Sequence, residues 1–352
     1  MNWCRKKMTF LRWIAALSLI TAVGTAAAHN NDDDDDAQDA LRDAKNSGIH
    51  KPILETHIHF YQPSRPGGVP YPSPTDPAIL YRDVLPSEYT PLAKAHGVVK
   101  TVIVEASPLV EDNQWILDLV KHDKFYPRFV GQLEIGSPTF SADLARFAKD
   151  KRFVGIRAYL WGPAEGITLS PAQLSSLRDL ARRGMTMDII SRGDASASPK
   201  NPKDGVEALC RAVPDLRIII DHLAGAQSAV GLPGGWPTAQ DAKNWELSIR
   251  RLADVCPNLY IKFSSFYDMY SPGTPTWIAP VDLASYKTNF DILMTAFGPD
   301  RLVWGSNWPV SNLGGDYGTQ IQIAEQYLAP FGTKVRDKVM FTNGWEFYTR
   351  KP

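Results

Sequence analysis

The sequence predicts an α/β protein of the (β/α)8 TIM-barrel class, built as a single domain. Eight short apolar runs alternate with amphipathic segments, polar residues collect where those runs end, and no Gly-rich phosphate loop follows the first run. The last observation disfavours an open doubly wound sheet, which the alternation alone would permit. A chain of 352 residues with 44% hydrophobic content can fill one such core.

The predicted strands are 53–60, 100–106, 128–135, 154–160, 185–190, 216–222, 259–264 and 302–306. Between them lie helical patterns. Ser170-Pro171, for example, opens a helix through Leu174, Leu177, Leu180 and Ala181 that stops at Gly184. The first strand reads Ile53-Leu54-Glu55-Thr56-His57-Ile58-His59-Phe60, and alternation puts His57 and His59 on one face. Imidazole suits both metal binding and proton transfer near neutral pH. In the fourth strand Arg157 and Tyr159 share one parity, opposite to Val154, Ile156 and Leu160. The sixth strand ends in Asp221-His222, and strict alternation assigns Asp221 a structural place. The seventh carries Lys262 and Ser264 on its polar parity, and the eighth runs through Gly305-Ser306 into Asn307-Trp308-Pro309.

Outside the barrel, Arg5, Lys6, Lys7 and Arg12, the apolar stretch 13–23 and Ala26-Ala27-Ala28 form the pattern of an export signal over residues 1–28. The apolar stretch is short for a membrane span, so no stable membrane insertion is expected after cleavage, and a periplasmic or secreted location follows. Residues 29–50 contain five consecutive aspartates, Asp32 to Asp36, and read as a solvated, disordered acidic leader before a barrel over 51–352. Cys210 and Cys256 each lie near a helix end ahead of a strand. Export would permit a bridge, but the expectation is two free, buried thiols. Basic and acidic residues balance at 38 each, which leaves no broad basic surface for nucleic acid; the expected partner is a small-molecule substrate, of the class that the family resemblance below implies.

The His-x-His of strand one, Gly155-x-Arg157, Asp221-His-Leu-Ala-Gly225, Lys262-x-Ser264, Trp304-Gly-Ser-x-Trp-Pro-Val310 and the closing Asn343-Gly-Trp-Glu-Phe-Tyr348 together resemble the amidohydrolase-related family from about Ile53 onward. Within it the pattern is most similar to the lactonase-like branch, whose members open sugar or pyrone-type lactones. The resemblance implies a barrel hydrolase that attacks a carbonyl with water. It implies catalytic roles for His57, His59, His222 and Asn307, and substrate contacts from Arg157 and Lys262, although Arg157 can instead bridge barrel carboxylates and Lys262 can pair with Asp188 or Asp221 inside the barrel. Tyr159 joins them as a substrate-binding candidate. Aromatic rings at strand ends (Trp308, Tyr61, Tyr71, Tyr267 and Tyr270) can stack a ligand or simply pack. The irregular stretches 62–77 and 225–237 border the same mouth.

Asn307 stands where the family carries an aspartate that takes a proton from the attacking water, and an amide has no basic carboxylate. Three accounts stay open. His222 or Asp188 serves as base, Asp316 reaches in from the loop after strand eight, or the barrel binds its ligand without turnover. His57, His59 and His222 provide a ligand set for one Zn2+, although metal-free lactone chemistry fits equally. Arg157 occupies the fourth-strand position at which two-metal relatives carry a modified lysine, and strand five offers Asp188 rather than a histidine. Decarboxylation of an aromatic or unsaturated acid is the second enzymatic reading, and a non-catalytic ligand-binding barrel is the third.

Overall fold

The computed structural model describes residues 31–159, 169–190 and 203–350. Eight parallel strands form one sheet in sequence order: β1 Ile53–Ile58, β2 Val98–Val104, β3 Arg128–Gly131, β4 Phe153–Tyr159, β5 Thr186–Ile190, β6 Arg217–Ile220, β7 Leu259–Phe263 and β8 Leu302–Trp304. Closure runs through the chain just past β8, where the Asn307 N–H donates to His57 O at 2.8 Å and the His59 N–H donates to Trp308 O at 2.9 Å. Gly305 makes this seam possible, because a Cβ there would lie 2.9 Å from the Cβ of His57. The result is a (β/α)8 barrel in a single domain, as the alternation predicts.

Strand alternation sorts the apolar residues into two layers. Ile53, Ile103, Phe129, Ile218, Ile220, Leu302 and Trp304 pack outward against the helices. Leu54, Val102, Val104, Val130, Ile219 and Val303 pack with Phe341, Trp345, Phe347 and Tyr348 of the C-terminal helical segment in a second cluster. The helix predicted at Ser170 is Pro171–Arg182. Ser170 and Gln173 cap it reciprocally, and Gly184 follows it at a φ of 62°.

Two expectations for the periphery are corrected. The leader is not disordered throughout, because Asn31–Asn46 is an α-helix. Its apolar stripe Ala37, Ala40, Leu41, Ala44 has helical spacing, and Ala40 is buried in the same cluster as Trp345. Reading the aspartate run by composition passed over that stripe. Cys210 and Cys256 are not free thiols; they form a disulfide with Cα atoms 5.7 Å apart. Helices Lys203–Ala212 and Ala239–Val255 are neighbours that feed the adjacent strands β6 and β7, so their C-terminal ends lie side by side. Residues 1–28, read as an export signal, lie outside the described residues. Among the described residues no helix is long and apolar enough to cross a membrane.

Candidate active site

The carboxyl ends of β1, β6 and β7 bring the charged cluster together. The His57 and His222 rings have centroids 4.6 Å apart, and His57 and His59 lie 5.0 Å apart edge to face. His57 is completely buried. Its Nδ1 lies 3.4 Å from Asp221 Oδ1 and 3.2 Å from the Lys262 ammonium, while Nε2 lies 3.4 Å from Arg157 Nη1. An imidazole between two cationic donors and one carboxylate is satisfied as the neutral ring that donates from Nδ1 to Asp221 and accepts at Nε2. Burial, followed in order by the opposing pull of Asp221 and the repulsion of Lys262, leaves its pKa well below the ordinary value.

Asp221 is the principal residue that alternation misplaced. β6 ends at Ile220, and His222, Leu223 and Ala224 follow with φ values of 55°, 53° and 51°. The period-two rule therefore lapses before His222, and both Asp221 and His222 reach the cluster. Burial opposes ionisation of Asp221, but the Lys262 ammonium and His57 overcome it and hold its carboxyl well below the usual range. One ligand atom from each of His57, Asp221 and His222 falls within 4.8 Å of the others.

Lys262 is fully buried and donates to Asp188 Oδ2 at 2.6 Å and to Thr56 O at 3.2 Å, with Asp221 Oδ1 also at 3.2 Å. These partners engage the ammonium inside the barrel, so of the two readings of Lys262 the internal pairing holds and the substrate contact does not. Asp188 also accepts from Tyr348 Oη at 2.7 Å, and burial pushes its carboxyl up to about 6. Held this way, it is in no position to act as base. Asp316 caps helix Tyr317–Leu328 by accepting from Thr319 N at 2.9 Å, which removes the other carboxylate candidate.

Arg157 donates from Nε to Glu105 Oε1 at 2.7 Å. It therefore bridges a buried carboxylate and also borders His57. His222 is the half-buried histidine at the rim; its Nδ1 lies 3.1 Å from Ser264 Oγ, and burial lowers its pKa to about 4. His59 turns toward the eighth stave, with Nδ1 2.9 Å from Val104 O and Nε2 3.1 Å from Asn307 Oδ1; burial, then Arg157, lowers its pKa to about 3. The Asn307 amide donates from Nδ2 to Ser265 Oγ at 2.9 Å.

The proposed zinc set therefore changes in membership. Asp221 replaces His59 beside His57 and His222, and two nitrogens plus a carboxylate oxygen fit a small divalent cation. Asp221 Oδ2 has no hydrogen-bond partner, which is consistent with that fit. Trp308 does not line the mouth. It is fully buried against Tyr89 with ring centroids 4.9 Å apart, and its backbone closes the barrel. Tyr61, Tyr267 and Tyr270 are buried as well, whereas Tyr71 is exposed. Tyr159 ends β4, and its side chain lies outside the described residues. Glu105, Ser265 and Asp268 escaped the sequence reading. Glu105 carried a signal, since it is the first charged residue after the apolar run of β2.

Residues 55–350 match the family model described as Amidohydrolase. This chain belongs to the amidohydrolase family. It is accordingly read as a hydrolase-type enzyme, and the lactonase-like branch is where its relatives lie. An L-fucono-1,5-lactonase from Burkholderia ambifaria is 31% identical over 299 residues, covering 84% of this chain and 94% of the relative. A zinc-bound amidohydrolase structure from Burkholderia multivorans superposes with a TM-score of 0.72 at 19% identity, over 85% of this chain and 99% of that one. A probable 2-pyrone-4,6-dicarboxylic acid hydrolase from Acinetobacter baumannii, with citric acid bound, gives 0.62 at 16% identity over 84% and 98% of the two chains.

Proposed function

We propose that this amidohydrolase-family enzyme opens a lactone of a sugar acid by water attack, with His222 as the base. The observation that carries this reading is the buried His57–Asp221–His222 cluster beside Arg157, in a chain 31% identical to an L-fucono-1,5-lactonase across most of its length. The histidine at the rim is neutral at physiological pH because burial depresses its pKa to about 4. With Nδ1 against Ser264, Nε2 is the atom left to take a proton from water. Asp221 orients His57 through Nδ1, and the Arg157 guanidinium beside His57 Nε2 supplies positive charge for the oxygen that becomes an oxyanion. This assignment accounts for turnover without a carboxylate at Asn307.

His57, Asp221 and His222 are the residues that would hold a single Zn2+, in place of base catalysis by His222, because its one free nitrogen cannot serve both. When bound, such an ion polarises a carbonyl and lowers the pKa of water. Export is part of the same reading, supported by the N-terminal pattern and by the Cys210–Cys256 disulfide, a linkage that persists in oxidising compartments. Cell fractionation with N-terminal sequencing checks this, and a mature chain beginning near His29 is the expected result.

The activity test is ring opening on a panel containing L-fucono-1,5-lactone, other sugar-acid lactones and 2-pyrone-4,6-dicarboxylate, with and without chelator. Hydrolysis of a sugar lactone, reduced at least 100-fold in His222→Gln, is expected. No opening of any panel member removes the proposal, and carbon dioxide release from an aromatic acid would replace it with a lyase.

A further inference from the structure

A line of polar atoms runs from His59 through Asn307 and Ser265 to Asp268. His59 Nε2 meets the Asn307 Oδ1 at 3.1 Å, Asn307 Nδ2 donates to Ser265 Oγ at 2.9 Å, and Ser265 Oγ donates to Asp268 Oδ2 at 2.7 Å. Both turning points hold unusual backbone. Ser265 has a φ of 56° and Asn307 of 67°, left-handed values that L residues rarely adopt.

The direction of this chain has a consequence for His59. Its Nδ1 faces the Val104 carbonyl, which can only accept, so Nδ1 carries the proton. A neutral ring then presents a lone pair at Nε2, and with Asp268 ionised that lone pair meets the amide oxygen of Asn307. Two acceptors face each other. The conflict disappears when every link reverses. A protonated Asp268 donates to Ser265, Ser265 donates to Asn307 Oδ1, and the turned amide donates from Nδ2 to His59 Nε2. Only a side chain with a donor end and an acceptor end permits this reversal, and Asn307 has both where a carboxylate would only accept.

We propose that Asp268 is a positioning residue of the site, acting through Ser265 to decide which end of the Asn307 amide meets His59. The inference rests on the proposed function only in that His59 borders the reacting cluster. It gives Asn307 a role of its own: the amide is the reversible link of a hydrogen-bond chain.

The surroundings of Asp268 suit such a switch. Burial pushes its carboxyl up to about 6, and the Ser265 hydroxyl opposes that shift. On its own segment, Phe266–Tyr270, the hydroxyls of Tyr267 and Tyr270 donate elsewhere, to Asp316 O and Ser285 O. Of the segments packed against it, His222–Gly225 carries His222, governed by burial, Asp221, Arg157 and Lys262, and Val310–Leu313 carries no titratable side chain. Helix Ala284–Phe297 carries Tyr286, which donates to Pro280 O, and the mutual pair Lys287 and Asp291, while Asp316 caps helix Tyr317–Leu328, whose Tyr317, Glu325 and Tyr327 engage Glu55, Arg336 and Asp291. Among the described residues each of these charged groups is engaged elsewhere, and burial and the Ser265 hydroxyl are what act on Asp268.

The test is the side-chain amide resonance of Asn307 in full-length protein labelled with 15N-asparagine, followed from pH 4.5 to 8. The expected result is a shift in wild type with a midpoint near 6 that is lost in Asp268→Asn and in Ser265→Ala. The second variant keeps the test informative if the first folds poorly. A wild-type resonance that does not move with pH, or a shift that survives either substitution, overturns the inference. If the shift behaves as expected while no lactone is opened, the hydrogen-bond switch stands and the lactonase reading falls.

Discussion

Removing the buried ammonium with Lys262→Met tests the electrostatic frame of the site. Lys262 Nζ stands 2.6 Å from Asp188 and 3.2 Å from Asp221, and all three side chains are fully buried. Taking one partner from a buried ion pair leaves an uncompensated charge and costs about 3–5 kcal/mol. Here the loss is expected near the lower end, because Asp188 already sits at about 6 and can take up a proton. In a chain this large, each 1 kcal/mol lowers Tm by about 2–4 °C, so a drop of roughly 6–12 °C is expected at pH 7. The loss should shrink at pH 5, where Asp188 is protonated, and much of it should return in the double variant Lys262→Met/Asp188→Asn. Urea denaturation followed by tryptophan fluorescence at both pH values measures this. A single variant within 1 kcal/mol of wild type at pH 7, or a double variant no better than the single one, refutes the reasoning.

Glu55 accepts from the backbone N–H groups of His57 and Ser306, both at 2.8 Å, yet burial raises its carboxyl to about 7. A raised carboxyl contributes stability below its unfolded value and loses it as pH climbs through the folded one. Glu55→Gln should therefore gain up to about 3 kcal/mol on wild type at pH 8 and nothing near pH 4.5, read from denaturation midpoints. Asp221→Asn should cut lactone opening at least 100-fold and lower bound metal in elemental analysis, whereas unchanged values would remove Asp221 from the site. Asn307→Asp should reduce turnover, because a carboxylate cannot donate to His59; a large gain would mark the natural site as disabled. Cys210→Ser should cost about 4 kcal/mol of stability, worked from the 46-residue separation of the bridged cysteines, and a chemical melt equal to that of the reduced wild type confirms the source.

The barrel was legible because strands and helices advertise themselves in apolar period. Outward Ile218 and Ile220 against inward Ile219 need only local alternation, and all eight strands fall within a few residues of their expected positions. His57 and His59 were legible for the same reason. The leader helix was half legible, since its alanine stripe has helical spacing but the aspartates beside it dominate the composition.

What the sequence by itself determined is which side chains reach the rim: histidines from the first and sixth staves, a guanidinium from the fourth, an amide at the eighth. Tertiary structure decided how they divide the work. Alternation holds only while the backbone stays extended, so the left-handed turn at His222 placed Asp221 in the cluster against the parity rule. Partners far apart in the chain chose between the two readings of Lys262 in favour of Asp188, turned His59 toward Asn307 and put Trp308 under Tyr89. The Cys210–Cys256 bridge depended on two helix ends meeting in space. Each is a matter of direction and distance between separate segments, and a linear pattern of residue types carries neither.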